Sequence, residues 1–181
     1  ADNRELLKRA VLEMIDQSDM LIICSGSSAG REDYTAGIVE ELGELLVHGL
    51  AIRPGKPAIL GSIQSKPVIG VPGYPISAQL VFNLFARPAL FGRQGIPEPQ
   101  ETMLNCQIAR KLPSPMGVDE YVYVNCASLP SGYYAYPLNR GAGVTTSLVK
   151  SDGFIRIPRG SEGIQAGEVM QVCLHRSRQT I

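Results

Sequence analysis

The chain of 181 residues can form one domain or two small ones and can bury a core without disulfides or metals. Its 17 basic and 17 acidic side chains cancel, so no basic field points to nucleic acid or to an anionic membrane. Any anionic ligand must therefore be held by local donors.

Four cysteines lie far apart, without a C-x-x-C pair or a nearby histidine cluster: Cys24, Cys106, Cys126 and Cys173. This spacing favours buried free thiols in a reducing cytosol over a zinc site. The chain opens on charge rather than on an apolar targeting segment, and residues 20–24 and 80–91 are too short or too interrupted to cross a bilayer. We expect a soluble, cytoplasmic protein with no membrane or nucleic-acid partner.

The first half of the chain alternates helical and strand-like patterns. Asp2 and Glu5 have the spacing of a capping box, which predicts a helix start before residues with helical spacing. Residues 20–24 are a continuous apolar run, as in strands covered on both faces. A second helix is predicted over about 34–46. Strand-like runs follow in two places: 58–60 and 68–71.

A long apolar helix is predicted after the PGYP turn at 72–75. Ser77 can cap this helix, which reaches about Phe91. The helix is apolar on nearly every side, which is typical of helices buried between layers or in a subunit interface.

The second half is typical of a small all-β domain. Residues 92–99 resemble a linker, and beyond them the apolar residues repeat with a period of two. Strands are predicted over 102–112, 121–126, 133–137, 153–157 and 168–175. We therefore predict an α/β domain over 1–92, a linker over 93–101 and a β-domain over 102–181.

Gly- and Pro-punctuated loops follow the apolar strands, a layout that predicts an anion pocket at the carboxyl edge of a parallel sheet. In the loop at 25–30, backbone N–H groups and the hydroxyls of Ser25, Ser27 and Ser28 could bind a phosphate; a plain turn is the alternative. Asp33 could hold Mg²⁺ beside the phosphate or could cap the next helix.

Two further turns carry candidate ligands. Arg53 and Lys56, spaced by Pro-Gly on a stiff backbone, suit a tetrahedral oxyanion; an exposed basic turn is the alternative. The PGYP turn starts a helix whose first N–H groups can bind an anion, although Ser77 could be a simple N-cap. Tyr74 could stack on a ligand or lie on the surface.

Together these segments resemble the molybdopterin molybdenumtransferase family, which includes the carboxy-terminal catalytic domain of gephyrin. The family pattern is an SGG-type loop ending in an acidic-Asp-Tyr step, an ELG helix, a K-P-G-K-P turn and an L-P-G-N-P-V-S-A turn. The chain has, in the same order, SGSSAGREDY at 25–34, ELG at 41–43, RPGKP at 53–57 and VPGYPISA at 71–78. The second half resembles the family's last domain, with RGAGV at 140–144, TSL at 146–148 and GSEG…AGE at 160–168.

The resemblance implies a three-layer α/β molybdopterin-binding domain without its first strand unit, followed by a small β-barrel-like domain. It implies an enzyme that hydrolyses adenylylated molybdopterin, releases AMP and inserts molybdate to give molybdenum cofactor. Mg²⁺ would be the cofactor, and the protein would form a homodimer.

Site residues are implied motif by motif. Asp33 would be the catalytic carboxylate and the Mg²⁺ ligand, and Asp2 would be a second catalytic acid. Molybdate or a phosphate oxyanion would be bound by Arg53, Lys56 and Ser77. The pterin substrate would be bound by residues of two loops: Ser25, Gly26, Ser27, Ser28, Gly30, Pro72, Gly73, Tyr74 and Pro75.

The chain also departs from the family pattern. Arg53 replaces the first lysine of its turn, and Tyr74 replaces an asparagine. An arginine of the family's last domain falls at about Tyr123, and a serine falls at Ala142. The family's opening strand and T-G-D/E-type loop would precede Asp2. A subset of the family with PGYP and RGAGV turns continues into a periplasmic-binding-protein-like domain, and the chain resembles a piece of such a protein.

Two other functions remain open. One is a non-catalytic module that binds or senses molybdopterin or molybdate, which the departures favour. The other is a dimeric scaffold, in which the apolar helix over 77–91 would form the interface because exposing so much apolar surface is costly.

Overall fold

A computed structural model describes residues 3–25, 34–140 and 145–175, within two compact units. The first unit comprises residues 1–50 and 55–98, and the second comprises residues 51–54 and 99–181. A short segment from the first half of the chain, residues 51–54, therefore belongs to the second unit.

The strands, in chain order, are β1 (Leu21–Ser25), β2 (Glu44–His48), β3 (Ile52–Arg53), β4 (Ile59–Ile63), β5 (Lys66–Pro72), β6 (Thr102–Ile108), β7 (Leu112–Pro113), β8 (Asp119–Leu129), β9 (Gly132–Pro137), β10 (Gly153–Ile157), β11 (Gly163–Ile164) and β12 (Val169–Leu174). The helices are α1 (Arg4–Asp16), α2 (Tyr34–Leu42), α3 (Pro75–Val81), α4 (Arg87–Gln94) and α5 (Thr145–Lys150). A π-helical segment, Phe82–Ala86, connects α3 to α4, so the predicted long helix is one rod of three parts.

The first unit contains a mixed sheet in the order β1-β5-β4-β2. Among these four described strands, β1 and β5 are parallel, whereas β4 pairs antiparallel with both of its neighbours. Gln64 and Ser65 explain the difference from the parallel sheet expected above. Their φ angles of 53° and 60° build a two-residue hairpin turn, which can connect only antiparallel strands.

The predicted second helix over 34–46 is wrong at its end. The helix stops at Leu42, and Glu44–His48 is a strand whose residues alternate between exposed and half-buried. Gly43 makes the turn possible, because a Cβ atom there would lie 2.0 Å from the Ser62 carbonyl oxygen. The two leucines and the valine of β2 fit a helical period as well as a strand period, so the pattern alone did not separate the two.

Helices cover the sheet of the first unit. α1 and α2 share a core with the sheet, formed by Val11, Ile15, Ile23, Ile38, Val39, Ile63 and Val68. Glu41 of α2 also forms ion pairs with Arg4 and Lys8 of α1. α3 packs against β5, whose last five residues are all buried, as in a strand with a layer on each face. This arrangement confirms the layered α/β architecture.

The second unit is a small barrel. Its strands follow the order β10-β12-β6-β9-β8, and a further pairing of β10 with β8 closes the ring. β3 pairs in parallel with Asp119 and Glu120, the first two residues of β8. The interior is filled by side chains including Val124, Ala135, Ile155 and Val172, all fully buried. The predicted β-barrel-like domain is confirmed, with β7 and β11 as a separate two-stranded ladder.

Two glycines near α2 give a test of the first unit. Gly37, in the middle of α2, has nothing within 4 Å of the position that a Cβ atom would occupy, so Gly37→Ala should raise the free energy of unfolding by about 0.5–1 kcal/mol. Gly43→Ala should lower it by roughly 1–3 kcal/mol, because the new methyl group meets the backbone of β4. Urea unfolding of both variants measures the difference. An unchanged midpoint for Gly43→Ala would contradict the described turn.

Candidate functional site

Two predicted ligand loops begin side by side in the first unit. β1 and β5 are parallel neighbours whose register pairs Cys24 with Val71 and Ser25 with Pro72. Since parallel strands end at the same edge of a sheet, the loop at 25–30 and the PGYP turn leave the sheet from adjacent positions. Residues that are far apart in the sequence are thus brought to one edge by this strand pair.

Several predicted site residues lie outside the described part of the chain: Asp2, Gly26, Ser27, Ser28, Gly30 and Asp33. Of the first loop, the structure describes the backbone of Ser25 at the end of β1. Within residues 3–25, 34–140 and 145–175, no three His, Cys, Asp or Glu side chains come together as a metal site. Asp33, the predicted Mg²⁺ ligand, is not among these residues.

The helix after the PGYP turn begins earlier than predicted. Pro75 is the first residue of α3, and Tyr74 stands at the cap position with φ −77° and ψ 125°. Ser77 is therefore not the N-cap but the third helical residue, and it is only 3% exposed. Proline favours the first helical position because it lacks an N–H and its φ is already helical.

The start of α3 still offers backbone donors. The N–H groups of Ile76 and Ser77 belong to the first turn, where no intrahelical acceptor is available. Gly73, Tyr74 and Pro75 are exposed around them, with Tyr74 at 47%. Ile76 and Ser77 are themselves 3% exposed each, so the accessible part of the turn is residues 73–75, where a ring-bearing ligand would make its contacts.

The RPGKP turn is divided between the two units. Arg53 is the last residue of β3 in the second unit, whereas Lys56 belongs to the first unit, where its carbonyl oxygen accepts a hydrogen bond from Leu50 N at 2.7 Å. Gly55 between them has φ 108°, a backbone conformation that favours glycine. Both cationic side chains are exposed, which is compatible with an oxyanion pair and with a plain basic turn.

Arg53 forms an ion pair with an acidic residue that no sequence motif singled out. Glu120, at the start of β8, is 2% exposed. Its carboxylate lies 3.7 Å from Arg53 Nε, and Arg140 Nη1 lies 3.4 Å from both of its oxygens. Arg140 opens the RGAGV motif and also donates a 2.7 Å hydrogen bond to the Pro113 carbonyl oxygen. The sequence signal that could have pointed to Glu120 is the pair of acids at 119–120, directly before the Tyr-Val-Tyr-Val run at 121–124.

Asp119, next to Glu120 on β8, has its own pair of arginines. It accepts hydrogen bonds from the backbone N–H and from Nη2 of Arg159, both at 3.0 Å, and lies 3.3 Å from Arg156 Nη2. Burial of Asp119 favours the neutral carboxyl, but the hydrogen bonds from Arg159 and the charge of Arg156 outweigh burial and lower its pKa. Adjacent residues of a strand point to opposite faces, so two separate clusters form.

Tyr123 lies where the resemblance places a family arginine. The residue is 6% exposed, and its ring centroid lies 5.7 Å from that of His175 and 6.2 Å from that of Phe154. Burial raises the pKa of Tyr123 to about 12, so the phenol stays neutral at pH 7. This position contributes packing to the second unit and no charge for an anion.

All four cysteines are free thiols, as predicted, but not all of them are buried. Cys24 is exposed at the end of β1, beside the start of the first candidate loop. Cys106 and Cys126 are 4.0 Å apart between their sulfur atoms, and burial raises the pKa of both thiols, that of Cys126 to about 12. These two thiols are therefore poor nucleophiles at neutral pH.

Two family models match the chain. Residues 1–92 match the family described as "Probable molybdopterin binding domain", and residues 105–174 match the MoeA C-terminal region (domain IV). The chain belongs to the molybdopterin molybdenumtransferase family. Its domains are those of molybdenum cofactor biosynthesis.

Relatives and solved structures agree with this assignment. A molybdopterin biosynthesis protein of Methanocaldococcus jannaschii is 36% identical over 96% of the chain, which spans 40% of that protein. A molybdopterin molybdenumtransferase of Bacillus subtilis is 28% identical over 92% of the chain, which spans 39% of that enzyme. The crystal structure of a molybdopterin biosynthesis MoeA protein from Pyrococcus horikoshii superposes with a TM-score of 0.79 at 36% identity, covering 97% of this chain and 42% of that one.

The chain thus spans about two fifths of the length of these relatives. Among the described residues, no helix is long and apolar enough to cross a membrane.

The Asp119 cluster gives a pH-dependent test. Asp119→Asn should lower the free energy of unfolding by about 1–3 kcal/mol at pH 7, because two charge-assisted contacts of a buried carboxylate are weakened. Since folding lowers the pKa of Asp119, its stabilisation is complete above the unfolded pKa of about 3.9 and is lost as the pH falls through the folded pKa.

Denaturant unfolding of the wild type and of Asp119→Asn between pH 7 and pH 2 measures this. The difference between the two proteins should shrink below about pH 4. A difference that stays constant over the whole range would mean that the charge of Asp119 does not contribute.

Proposed function

We propose that the chain forms part of a cytoplasmic molybdopterin molybdenumtransferase, which cleaves adenylylated molybdopterin, releases AMP and inserts molybdate. The observation that carries the proposal is the register Ser25 with Pro72, because it brings both family loops to one sheet edge. The family match over residues 1–92 covers that strand pair. The complete reaction is proposed for the full-length protein.

In this proposal, different turns bind the pterin substrate and the tetrahedral oxyanion. The pterin substrate is bound by residues 25–30 and by the turn Pro72, Gly73, Tyr74 and Pro75. Pro72 is buried at the end of β5, whereas the other three residues are exposed, as contact with a phosphorylated pterin requires. Molybdate and phosphate are both tetrahedral dianions. Guanidinium and ammonium groups together with helix N–H donors suit either of them, as Arg53, Lys56 and the Ser77 turn do.

The chemical step is assigned to acidic residues. We place Asp33 and Asp2 at the pyrophosphate bond between pterin and AMP, where a carboxylate can position the attacking water. Asp33 would also hold Mg²⁺, which when bound neutralises charge on the phosphates. Both residues lie outside the described part of the chain, and their roles rest on the motif resemblance.

One observation favours a binding module without chemistry. Tyr123, where the family has an arginine, is buried against aromatic rings and stays neutral, so one cation expected of the last domain is replaced by packing. In that alternative the protein carries or senses molybdopterin or molybdate. The alternative predicts tight pterin binding without release of AMP.

Asp33→Asn tests the enzymatic proposal. In the full-length protein, supplied with adenylylated molybdopterin, Mg²⁺ and molybdate, the variant should lose AMP release and cofactor formation by about a hundredfold or more. Asp19→Asn is the matched control, since Asp19 is a 91%-exposed carboxylate outside the motifs. AMP release by chromatography and reconstitution of a molybdenum enzyme are the measurements.

Full activity of Asp33→Asn would remove the role proposed for this carboxylate. A wild-type protein that binds the pterin tightly but releases no AMP would instead favour the binding module.

A homodimer is also proposed, from the resemblance and from the helical rod. α4 has no buried residue, and Phe82 before it is 37% exposed. Phe82→Glu should therefore shift the full-length protein towards a monomer in sedimentation velocity. Leu46→Glu, at a 59%-exposed position on the edge strand β2, should leave the mass unchanged. A wild-type monomer at tens of micromolar would contradict the proposal, and with it the dimeric scaffold.

A further inference from the structure

Glu120 is a carboxylate that cannot be buried without cationic partners. Its residue is 2% exposed, and an unpaired carboxylate at that depth would cost several kcal/mol. Within the described part of the chain, its cationic partners are Arg53 and Arg140. Burial of Glu120 therefore requires that at least one of these guanidinium groups stays close to it.

The two arginines come from different motifs. Arg53 belongs to the RPGKP turn and Arg140 to the RGAGV segment, 87 positions apart in the sequence, and both belong to the second unit. β3 brings Arg53 alongside β8, in a register that pairs Arg53 with Glu120. Arg140 is fixed a second time by the Pro113 carbonyl oxygen. One carboxylate thus contacts two guanidinium groups whose residues are far apart in the sequence.

The pair keeps binding capacity after these contacts. Each guanidinium has five N–H donors, and the contacts with Glu120 and Pro113 use Nε of Arg53 and Nη1 of Arg140. The side chains are 58% and 28% exposed, respectively, and the three groups together carry a net charge of +1. Among the described residues, these are the contacts that occupy the two guanidinium groups, and a partly exposed, positively charged cluster of this kind suits an oxyanion.

We infer that Glu120 is a positioning residue, which holds Arg53 and Arg140 as one preorganised site for the tetrahedral oxyanion. The inference rests on the proposed function, in which Arg53 binds molybdate. It adds Arg140 to the site and makes the acidic residue responsible for the geometry of the pair. Glu120 does not touch the anion and would repel it at contact distance.

The effect of Glu120→Gln has opposite signs under two explanations. If only charge mattered, removal of the carboxylate would raise the net charge of the cluster and strengthen anion binding. If Glu120 positions the arginines, the variant should weaken binding, because two mutually repelling guanidinium groups lose their common acceptor. The direction of the change therefore separates the two explanations.

Asp119→Asn is the matched control. Asp119 is the preceding residue on the same strand, is 4% exposed and also contacts two arginines. Arg156 and Arg159, however, belong to neither the RPGKP turn nor the RGAGV segment. Both variants replace one buried acid by its amide, so both should lose stability, but only one should affect the anion.

The experiment uses the full-length protein and two readouts. Calorimetric titration with sodium molybdate gives the Kd, and steady-state assays give KM for molybdate and for adenylylated molybdopterin. For Glu120→Gln we expect the Kd and KM for molybdate to rise about tenfold, with KM for the pterin unchanged. For Asp119→Asn we expect both molybdate values to stay within a factor of two, despite a lower melting temperature.

Arg140→Lys is the second variant, in case Glu120→Gln does not fold. It keeps the charge balance around Glu120 but removes the planar fork, so the Kd for molybdate should again rise. Unchanged or tighter molybdate binding in a folded Glu120→Gln or Arg140→Lys protein would overturn the inference. An equal loss in Asp119→Asn would also overturn it, because the effect would then be general destabilisation.

The two proposals can fail separately. If the wild type binds molybdate but makes no cofactor, and Glu120→Gln weakens that binding, then the enzymatic proposal fails and the positioning role stands. If the wild type makes cofactor and neither the Kd nor the KM for molybdate changes in Glu120→Gln, the positioning role alone fails.

Discussion

Two adjacent acids at the head of β8 constrain much of the second unit. Asp119 and Glu120 are buried, and a buried carboxylate is stable only beside cations and hydrogen-bond donors. Four arginines meet this requirement: Arg53, Arg140, Arg156 and Arg159. They come from β3, from the RGAGV segment, from β10 and from the turn after it. Charge neutralisation therefore ties these segments to the first two residues of β8.

A different constraint organises the first unit. β5 is buried along its last five residues, so it must lie inside the sheet, and β1 is its parallel neighbour. That pairing puts the end of β1 next to the start of the PGYP turn. The hairpin through Gln64 and Ser65 sends β4 in the opposite direction, so the end of β4 lies at the other edge. Of the strands described in this sheet, β1 is therefore the one that ends beside β5 and its PGYP turn.

Local patterns predicted most of the elements but not their partners. The strand over 153–157 has the predicted bounds, because its apolar alternation stops at Pro158. The helix over 34–46 was too long, since the short β2 has a pattern compatible with both periods and only contact with β4 through Gly43 decides between them. β3 was missed because a strand of two residues is too short to show a hydrophobic period. It is recognised as a strand only by its pairing with β8. Such contacts are tertiary and leave no local signal.

The same limit applies to the candidate site. The order of the motifs was enough to predict the family and to locate the ligand loops. Glu120 belongs to none of the family motifs and is recognised only by its contacts with two arginines. The RPGKP turn shows why. On the sequence, Arg53 and Lys56 are a local pair on a stiff turn, but Arg53 takes its backbone pairing and its ion pair from β8 of the second unit, whereas Lys56 belongs to the first. The ion-pair partner of the Arg53 guanidinium thus lies 67 positions away in the sequence, so the local pattern of the turn could not predict this contact.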